Sequence, residues 1–274
     1  MRLAAILMTV VLAGAAQAAS GPELVEIRIG EASLQSYLFR PAGPGPFPAV
    51  VALHGCSGLG RNGEPVARHF RAWAEQLAGA GFAVLFPDSF GSRELPPQCT
   101  IRDRQVRASR ERVADAHAAR HWLQSQDWVA PDHVSLMGWS NGAVTVLWTI
   151  RRRAGWNDEA PDFRSAVALY PGCNRLADIA WSARVPTLVL IGSADDWTSA
   201  EACEQMVAGA RGRSARAAIV VYPGAYHDFD HPDQPVRRHD GLAFTVDGSG
   251  RAHAGTDPAA RADALRRVPE WLRR

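Results

Sequence analysis

The sequence predicts an α/β fold in which a mostly parallel central sheet is covered by helices on both faces. Three observations support this prediction. Short, nearly continuous apolar runs recur along the chain, as expected of strands buried on both faces. Helical stretches separate these runs, and such alternation gives parallel strands joined by right-handed crossovers. No composition shift, long linker or internal repeat interrupts the pattern, so residues 19–274 are predicted to form a single domain.

The start of the 274-residue chain, residues 1–18, is predicted to be a signal peptide. Arg2 supplies a positive charge, Leu3–Ala15 is uncharged and apolar, and Ala16–Ala18 has the small-x-small pattern of a cleavage site. The apolar run is short for a bilayer core of about 30 Å. The alternatives are a membrane anchor or a buried helix. Cleavage after Ala18 would leave an exported protein, periplasmic or extracellular, with no membrane partner.

The chain that follows is expected to open with an antiparallel pair of strands. Leu24–Arg28 and Leu34–Phe39 alternate between apolar and polar residues, and a turn at Gly30–Ala32 separates them. A connector rich in Gly and Pro, Pro41–Pro48, comes next. The buried strands and their helices begin after this connector.

The pattern of apolar runs and helical stretches defines the remaining elements. The predicted strands are Ala49–Leu53, Phe82–Phe86, Val134–Gly138, Ala166–Tyr170, Thr187–Ile191 and Ala217–Tyr222. The predicted helices are Pro65–Ala78, Arg104–Ser125, Asn141–Arg152, Ala200–Arg211 and Pro258–Arg273. The segment Asp230–Thr256 does not fit this rhythm, being rich in Gly, Asp, Pro and His with one short apolar run at Leu242–Val246. We expect a surface excursion with a small hairpin, of the kind that often borders an active site.

Charge and cysteine content exclude several classes of protein. The formal charge is only +2, and the basic residues, all of them arginine, are scattered along the chain. No nucleic-acid or anionic-membrane partner is therefore predicted. The chain contains four cysteines and no CxxC pair, which argues against a zinc or thioredoxin-like site. An even count in an exported chain indicates disulfides, for which three connectivities are open.

A candidate nucleophile, Ser140, lies in the segment Gly138–Gly142, which reads Gly-Trp-Ser-Asn-Gly. The GxSxG pattern alone is weak, but here it directly follows a strand and directly precedes a helical run. So tight a reversal strains the middle residue, and the flanking glycines let the strand and helix approach each other. Ser140 is therefore predicted to project from the carboxyl end of the strand. The alternative is an ordinary Gly-rich turn with an incidental serine.

A serine nucleophile needs a base to accept its proton and an acid to orient that base. Behind such an elbow, the acid and then the histidine follow later strands. Asp195 and Asp196 follow the strand Thr187–Ile191, and His227 alone of nine histidines comes immediately after a late strand. Asp195 is the predicted acid, with Asp196 as the alternative. A helix cap before Ala200 is the other role open to either aspartate.

Backbone N–H groups that can bind an oxyanion are expected from two places. One is Asn141, the residue after the candidate nucleophile. The other is Cys56, in the segment His54–Gly58 that follows an early strand. Cys56 as a thiol nucleophile and His54 as a base are rival interpretations. Neither has an elbow or an acid near it in the pattern, so we do not favour them as primary catalysts.

Taken together, these residues resemble the dienelactone hydrolase family of the α/β-hydrolase superfamily. The matching segments are His54–Cys56, Gly138–Gly142, Tyr170–Cys173, Gly192–Asp195 with Trp197, and Tyr222–His227 with Phe229. The resemblance implies the α/β-hydrolase fold, a triad of Ser140, Asp195 and His227, and hydrolysis of a carboxylic ester or lactone without metal or cofactor. The founding members of the family use a cysteine nucleophile. The serine therefore shifts the expected substrate from dienelactone toward ordinary esters.

Three further residues are candidates for substrate binding. Arg93 lies roughly where the founding enzymes of the family bind a substrate carboxylate, and a solvated loop arginine is the alternative. Trp139 and Trp197 flank the candidate triad and are predicted to line the acyl pocket, with core packing as the alternative for both.

The same resemblance implies a disulfide pattern. Cys173 and Cys203 lie after or near successive strands at one edge of the sheet, so they are predicted to pair. Cys56 and Cys99 lie in early loops that should border the same site, and they form the second predicted pair.

The sequence thus predicts a carboxylic ester hydrolase that acts on a small-molecule ester or lactone through an acyl-enzyme on Ser140. Two alternatives remain open. One is a peptidase or acyltransferase that uses the same triad, and the other is a non-catalytic binding protein on a hydrolase scaffold.

Overall fold

A computed structural model describes residues 21–153, 155 and 158–274, and the predicted signal peptide lies outside these residues. Eight strands form one sheet in the order β1-β2-β4-β3-β5-β6-β7-β8. Strands β1 and β2 pair antiparallel, β2 pairs antiparallel with β4, and every other neighbour is parallel. The α/β class and the opening antiparallel pair are therefore confirmed. No helix within the described ranges is long and apolar enough to cross a membrane.

Strands and helices alternate along the chain after the opening pair. The strands of the sheet are β1 Glu23–Ile29, β2 Ala32–Phe39, β3 Phe47–Leu53, β4 Ala83–Pro87, β5 Val129–Trp139, β6 Ala166–Leu169, β7 Thr187–Gly192 and β8 Ala217–Tyr222. The α-helices are α1 Arg68–Gly79, α2 Glu111–Gln124, α3 Asn141–Thr149, α4 Asn174–Asp178, α5 Ala200–Gly209 and α6 Pro258–Leu272. Strands β3, β4, β6 and β7 are buried along almost their whole length, since helices cover both faces of the sheet.

The register of the parallel strands brings their carboxyl ends to one edge of the sheet. Leu53 at the end of β3 pairs with Gly138 on β5, and Trp139 pairs with Leu169 at the end of β6. On the next strand of the sheet, Gly192 ends β7 opposite Tyr222, the last residue of β8. The loops that carry the predicted site residues leave the sheet at these positions. They therefore meet in one place.

Helix α2 begins at Glu111, later than the predicted Arg104, because side chains hold the preceding residues in a loop. Arg104 Nε donates to the carbonyl oxygens of Gln98 and Ile101, and the Arg107 N–H donates to the Glu111 carboxylate. Side chains thus bond backbone carbonyl and N–H groups in this segment, and these bonds compete with the backbone hydrogen bonds of a longer helix. The short helix α4, Asn174–Asp178, was not predicted, and α3 ends at Thr149 rather than at Arg152.

The excursion after β8 contains the expected small hairpin. Strands β9 (Arg237–His239) and β10 (Ala252–Ala254) pair antiparallel. Between them, the Ala243 N–H donates to the Cys99 carbonyl and the Val246 N–H donates to the Asp196 carbonyl. These bonds hold the excursion against the carboxyl edge of the sheet.

Both predicted disulfides are confirmed. Cys56 bonds to Cys99, and Cys173 bonds to Cys203. The first links the loop after β3 to the loop before α2, and the second links the loop after β6 to α5. Each therefore fastens a loop at the carboxyl edge.

Candidate active site

Ser140 lies at the turn between β5 and α3 and has a strained backbone, with φ 51° and ψ −115°. A positive φ is uncommon for a residue with a side chain. The strain is held from both sides, since the Ser140 N–H donates to the Leu169 carbonyl and its own carbonyl accepts the Val144 N–H. The glycines are required here: a Cβ on Gly138 would lie 2.7 Å from the Gly142 carbonyl carbon, and one on Gly142 would lie 2.0 Å from the Leu53 oxygen.

The structure brings Ser140, His227 and Asp195 together in one chain of hydrogen bonds. His227 Nε2 lies 2.9 Å from Ser140 Oγ, and His227 Nδ1 lies 2.8 Å from Asp195 Oδ2. The His227 side chain is almost fully buried, with 1% exposure. This is the geometry in which an imidazole can take a proton from a hydroxyl while a carboxylate fixes its orientation.

The two oxygens of Asp195 have different partners. Oδ1 accepts the backbone N–H groups of Trp197 and Thr198, which fixes the plane of the carboxylate. Oδ2 accepts the Thr198 hydroxyl at 2.9 Å and faces His227. The loop of Asp195 therefore fixes the carboxylate independently of its contact with His227.

Asp196, the alternative acid, points away from His227. Its carboxylate accepts the backbone N–H of His253 and faces His253 Nδ1, both at 2.7 Å. Nor does Asp196 cap α5, because the Ser199 side chain accepts the Ala202 N–H in that role. Both roles considered for Asp196 are thus wrong, and it links the acid loop to the excursion.

The surroundings of His227 act on its pKa in opposite directions. Burial lowers the pKa because the imidazolium loses its hydration, while the charge and hydrogen bond of Asp195 raise it. The net effect is a pKa above the ordinary value of 6.5. Trp197 and Tyr170 pack on the ring, with centroids 4.7 and 4.5 Å from it.

The loop that follows β3 lies directly against the elbow. A Cβ built on Gly55 would lie 3.6 Å from the Ser140 Cβ, and Cys56 lines the same pocket as Ser140 and Asn141. Asn141 is the first residue of α3, so its N–H has no carbonyl one turn earlier to bond. The Cys56 carbonyl accepts the Gln98 N–H at 2.7 Å, which together with the disulfide fixes the loop.

His54, one of the rejected rivals, is fully buried and faces backbone groups. Its Nδ1 lies 2.8 Å from the Gly55 oxygen and its Nε2 accepts the Ser89 N–H. Burial lowers its pKa well below the ordinary value, so the ring is neutral. The other rival, Cys56, forms a disulfide with Cys99 and has no free thiol. Neither residue acts as base or nucleophile in this arrangement.

A pocket of about 580 Å³ opens in front of Ser140. Its apolar wall includes Val144, Trp148, Leu176, Trp197 and Phe244. Its rim is mostly cationic, with Arg102, Arg104, Arg107 and Arg175 beside a single acidic residue, Asp103. Trp197, a predicted substrate-binding residue, lies in this wall, and its contact with a substrate stays a prediction.

The predictions for Trp139 and Arg93 are wrong. Trp139 is the last residue of β5 and points into the core, where it is 1% exposed and stacks on Phe86. Arg93 is bound to the Asp115 carboxylate through two N–H groups, at 2.7 and 3.0 Å, and does not line the pocket. The core packs the Trp139 side chain and the buried Asp115 pairs with Arg93, so neither lines the pocket in front of Ser140.

Asp230 forms a buried centre that the sequence did not reveal. Its Oδ2 accepts the indole N–H groups of Trp73 and Trp139 and lies 2.9 Å from His69 Nε2, while Oδ1 accepts the Tyr170 hydroxyl. Burial opposes its ionisation, but these partners outweigh that cost and lower its pKa to about 2. The carboxylate thus ties α1, β5 and the loop after β6 to the loop of His227. The partners are scattered along the chain, so no spacing indicated them.

No group of three or more His, Cys, Asp or Glu side chains that could hold a metal ion occurs within the described ranges.

Several known proteins resemble this chain in sequence or in fold. A Mycobacterium tuberculosis H37Rv protein, named provisionally as a phosphoribosyl transferase, is 30% identical over 226 residues, which are 80% of this chain and 46% of that protein. The chain thus spans about half the length of that curated relative. Among solved structures, a dienelactone hydrolase-like promiscuous phosphotriesterase from metagenomic libraries has a TM-score of 0.71 and 20% identity, over 94% of this chain and 98% of its own. Esterase 2 of Thermogutta terrifontis, solved with propionate bound, has a TM-score of 0.64 and 18% identity, over 92% and 93%.

The two structural likenesses establish the fold, at identities too low to carry more. The family is established by the sequence itself, because the model of the dienelactone hydrolase family matches residues 34–274, from β2 to the end of the chain. That range contains the elbow, the acid loop, the histidine and the loop after β3. The chain belongs to the dienelactone hydrolase family.

Proposed function

We propose that this member of the family is a serine hydrolase that cleaves a carboxylic ester or lactone through an acyl-enzyme on Ser140. One observation carries the proposal: a strained serine, an imidazole and a fixed carboxylate form a continuous hydrogen-bonded chain that ends in a pocket. The names of structural neighbours, an esterase and a phosphotriesterase, are consistent with hydrolysis of an ester bond.

The reaction begins when Ser140 Oγ attacks the substrate carbonyl and His227 Nε2 takes its proton. Asp195 holds the imidazole in the required tautomer and stabilises the cation that forms. The carbonyl oxygen becomes an oxyanion, which the N–H groups of Cys56 and Asn141 bind. His227 then protonates the leaving alcohol, and the acyl-enzyme is left on Ser140.

A water molecule completes the cycle. His227 accepts a proton from the water as it attacks the acyl carbon, and the second oxyanion forms at the same N–H groups. Collapse of this intermediate releases the carboxylic acid, and the proton held by His227 returns to Ser140. In a lactone the leaving alcohol stays attached to the acyl group, and the same steps give a hydroxy acid.

We also propose that the protein is exported. The predicted signal peptide motivates this, and the two disulfides are of the kind that persist in oxidising compartments. The M. tuberculosis relative is about twice as long as this chain, so the activity in its name does not carry over to this protein.

A fluorophosphonate probe tests the proposed nucleophile. We expect the probe to label the wild-type protein on Ser140, identified by peptide mass spectrometry. Ser140→Ala should lose labelling and lower kcat for a short-chain p-nitrophenyl ester by about four orders of magnitude or more. Ser109 lines the same pocket without contacting His227, so Ser109→Ala is the matched control and should still label. Labelling that persists in folded Ser140→Ala would overturn the proposal.

A further inference from the structure

A buried arginine that the mechanism above does not use touches both segments of the proposed oxyanion site. Arg112, near the start of α2, is 0% exposed. Its Nη1 donates to Asn141 Oδ1 at 2.6 Å, and its Nη2 donates to the His54 carbonyl oxygen at 2.8 Å. The guanidinium carbon lies 5.1 Å from the centroid of the Phe90 ring, which covers it.

This environment is unusual for a buried cation. Buried guanidinium groups are normally paired with carboxylates, because an unpaired charge is costly to desolvate. Within the described ranges Arg112 forms no ion pair, and the nearby acid Asp115 is held by Arg93. Burial lowers the pKa of Arg112 to about 10, so the group remains a cation at neutral pH. The charges of Asp115 and Asp88 favour the cation without an ion pair, and its own N–H groups bind two neutral acceptors.

A second arginine on the same helix shows the ordinary arrangement. Arg120 is also 0% exposed, and it forms ion pairs with Asp158 and Asp162, neither of which lines the pocket. Both residues are arginines on the same helix, and both are completely buried. They differ in what they hold, which makes Arg120 a matched control.

The acceptors of Arg112 connect it to both proposed donors. Asn141 supplies one oxyanion N–H, and His54 lies two residues before Cys56, which supplies the other. A guanidinium is planar and rigid, so N–H groups that bind both acceptors fix the end of β3 relative to the start of α3. Its positive charge near this point also favours an oxyanion over the neutral carbonyl.

We propose that Arg112 is a positioning residue, which aligns the Cys56 and Asn141 N–H groups for the oxyanion and lends them a positive field. This inference rests on the proposed hydrolase function. The expected loss is in stabilisation of the transition state rather than in substrate binding, because Arg112 bonds the segments that carry the donors and does not line the pocket.

The test compares Arg112→Met and Arg112→Lys with Arg120→Met and Arg120→Lys. We expect Arg112→Met to lower kcat by about a hundredfold with KM little changed, as a misplaced donor does. Arg112→Lys keeps the charge and can reach one acceptor, so its loss should be smaller. The Arg120 variants should lower the melting temperature and leave kcat near the wild-type value.

A transition-state analogue separates positioning from general destabilisation. A trifluoromethyl ketone forms a hemiketal oxyanion on the serine, whereas the product carboxylic acid does not. The Arg112 variants should weaken inhibition by the ketone by about the factor lost in kcat, and leave inhibition by the acid unchanged. A kcat or ketone affinity that falls no more than in the Arg120 variants would overturn the inference.

Asn141→Ala keeps the test decisive if Arg112→Met fails to fold. This change removes the side-chain acceptor of Arg112 and keeps the Asn141 backbone N–H. It should also weaken ketone inhibition and lower kcat, and full activity in Asn141→Ala would overturn the inference. If wild-type protein neither labels with fluorophosphonate nor hydrolyses esters, the proposed function itself has failed. An active wild type with insensitive Arg112 variants sinks only this inference.

Discussion

The carboxylate of Asp195 determines when His227 can act as a base. Only the neutral imidazole can accept the Ser140 proton, so activity falls as pH drops through the pKa of His227. Burial is the largest single influence and lowers this pKa, but the charges of Asp195, Asp228 and Asp230 and the Asp195 hydrogen bond together raise it above the ordinary value. The acid limb of kcat/KM in the wild-type protein is therefore expected to have its midpoint above 6.5.

Asp195→Asn should shift that limb to lower pH, because burial of His227 remains while the neighbouring charge is lost. The same change should lower kcat by about four orders of magnitude, since an amide favours the wrong tautomer of the imidazole. Initial-rate measurements of kcat and kcat/KM across the acid limb measure both effects. Asp196→Asn is the control, because Asp196 faces His253, and it should leave the limb in place. An unmoved limb in Asp195→Asn would show that another group sets it.

Residues that directly follow strands were the predictable part of the site. Ser140, Asp195 and His227 each come just after a strand whose carboxyl end reaches the same edge, so topology brings them together. Trp139 belongs to β5 itself, and the pleat turns its ring into the core. For Arg93, the deciding fact is Asp115, a partner 22 residues away that no local pattern indicates. Contacts between distant segments thus decided which neighbours of the triad line the pocket.

At the scale of elements, two irregular segments build the rim of the pocket. The loop before α2 and the excursion between β9 and β10 meet where Arg104 and Arg102 lie over the Phe244 ring, at 5.0 and 5.9 Å. In the described part of the chain neither arginine is paired with a carboxylate, although Asp103 lines the same rim. The sequence predicted a helix from Arg104 onward, but the residues before Glu111 form a loop. The arginine side chains that bond loop carbonyls could not be foreseen from periodicity.

This rim should favour esters that carry a negative charge away from the scissile bond. For a half-ester of a dicarboxylic acid, the double variant Arg102→Gln/Arg104→Gln should raise KM by about tenfold or more, since hydrogen bonds to charged groups are lost. The matching neutral diester lacks the charge, and its KM should not change. Steady-state kinetics with the two substrates measures the difference.

Arg110→Gln is the control for this experiment, because Arg110 lies in the same loop and does not line the pocket. It removes a similar charge from the neighbourhood without removing a contact. If Arg110→Gln weakens the half-ester as much as the double variant does, long-range attraction rather than the rim explains the preference.

At the scale of the whole molecule, the sheet supplies a rigid edge and a few tertiary links fix the loops on it. The strands were predictable because burial on both faces leaves continuous apolar runs. The tertiary links were less predictable, because the carboxylate of Asp230 joins side chains from α1, β5 and the loop after β6 that lie up to 161 residues away. Only the disulfides among these links were predicted, and they were inferred from the family resemblance rather than from spacing.

Removing each disulfide separates the stability of the molecule from the geometry of its site. The two bonds span 43 and 30 residues, so on the loop-entropy model each stabilises the fold by about 3–4 kcal/mol. Cys56→Ala/Cys99→Ala and Cys173→Ala/Cys203→Ala should therefore lower the free energy of unfolding by similar amounts, measured by denaturant titration. Their effects on catalysis should differ, because only the first bond holds a residue that donates to the proposed oxyanion.

We expect Cys56→Ala/Cys99→Ala to lower kcat and weaken ketone inhibition even at temperatures where the variant is fully folded. Cys173→Ala/Cys203→Ala should keep kcat near the wild-type value under the same conditions, since neither cysteine contacts the triad. Equal losses of kcat in the two variants would mean that the fold as a whole, and not the loop after β3, limits the reaction. A larger loss of kcat in Cys56→Ala/Cys99→Ala than in Cys173→Ala/Cys203→Ala would show that the Cys56–Cys99 bond positions an oxyanion donor that the sheet alone does not fix.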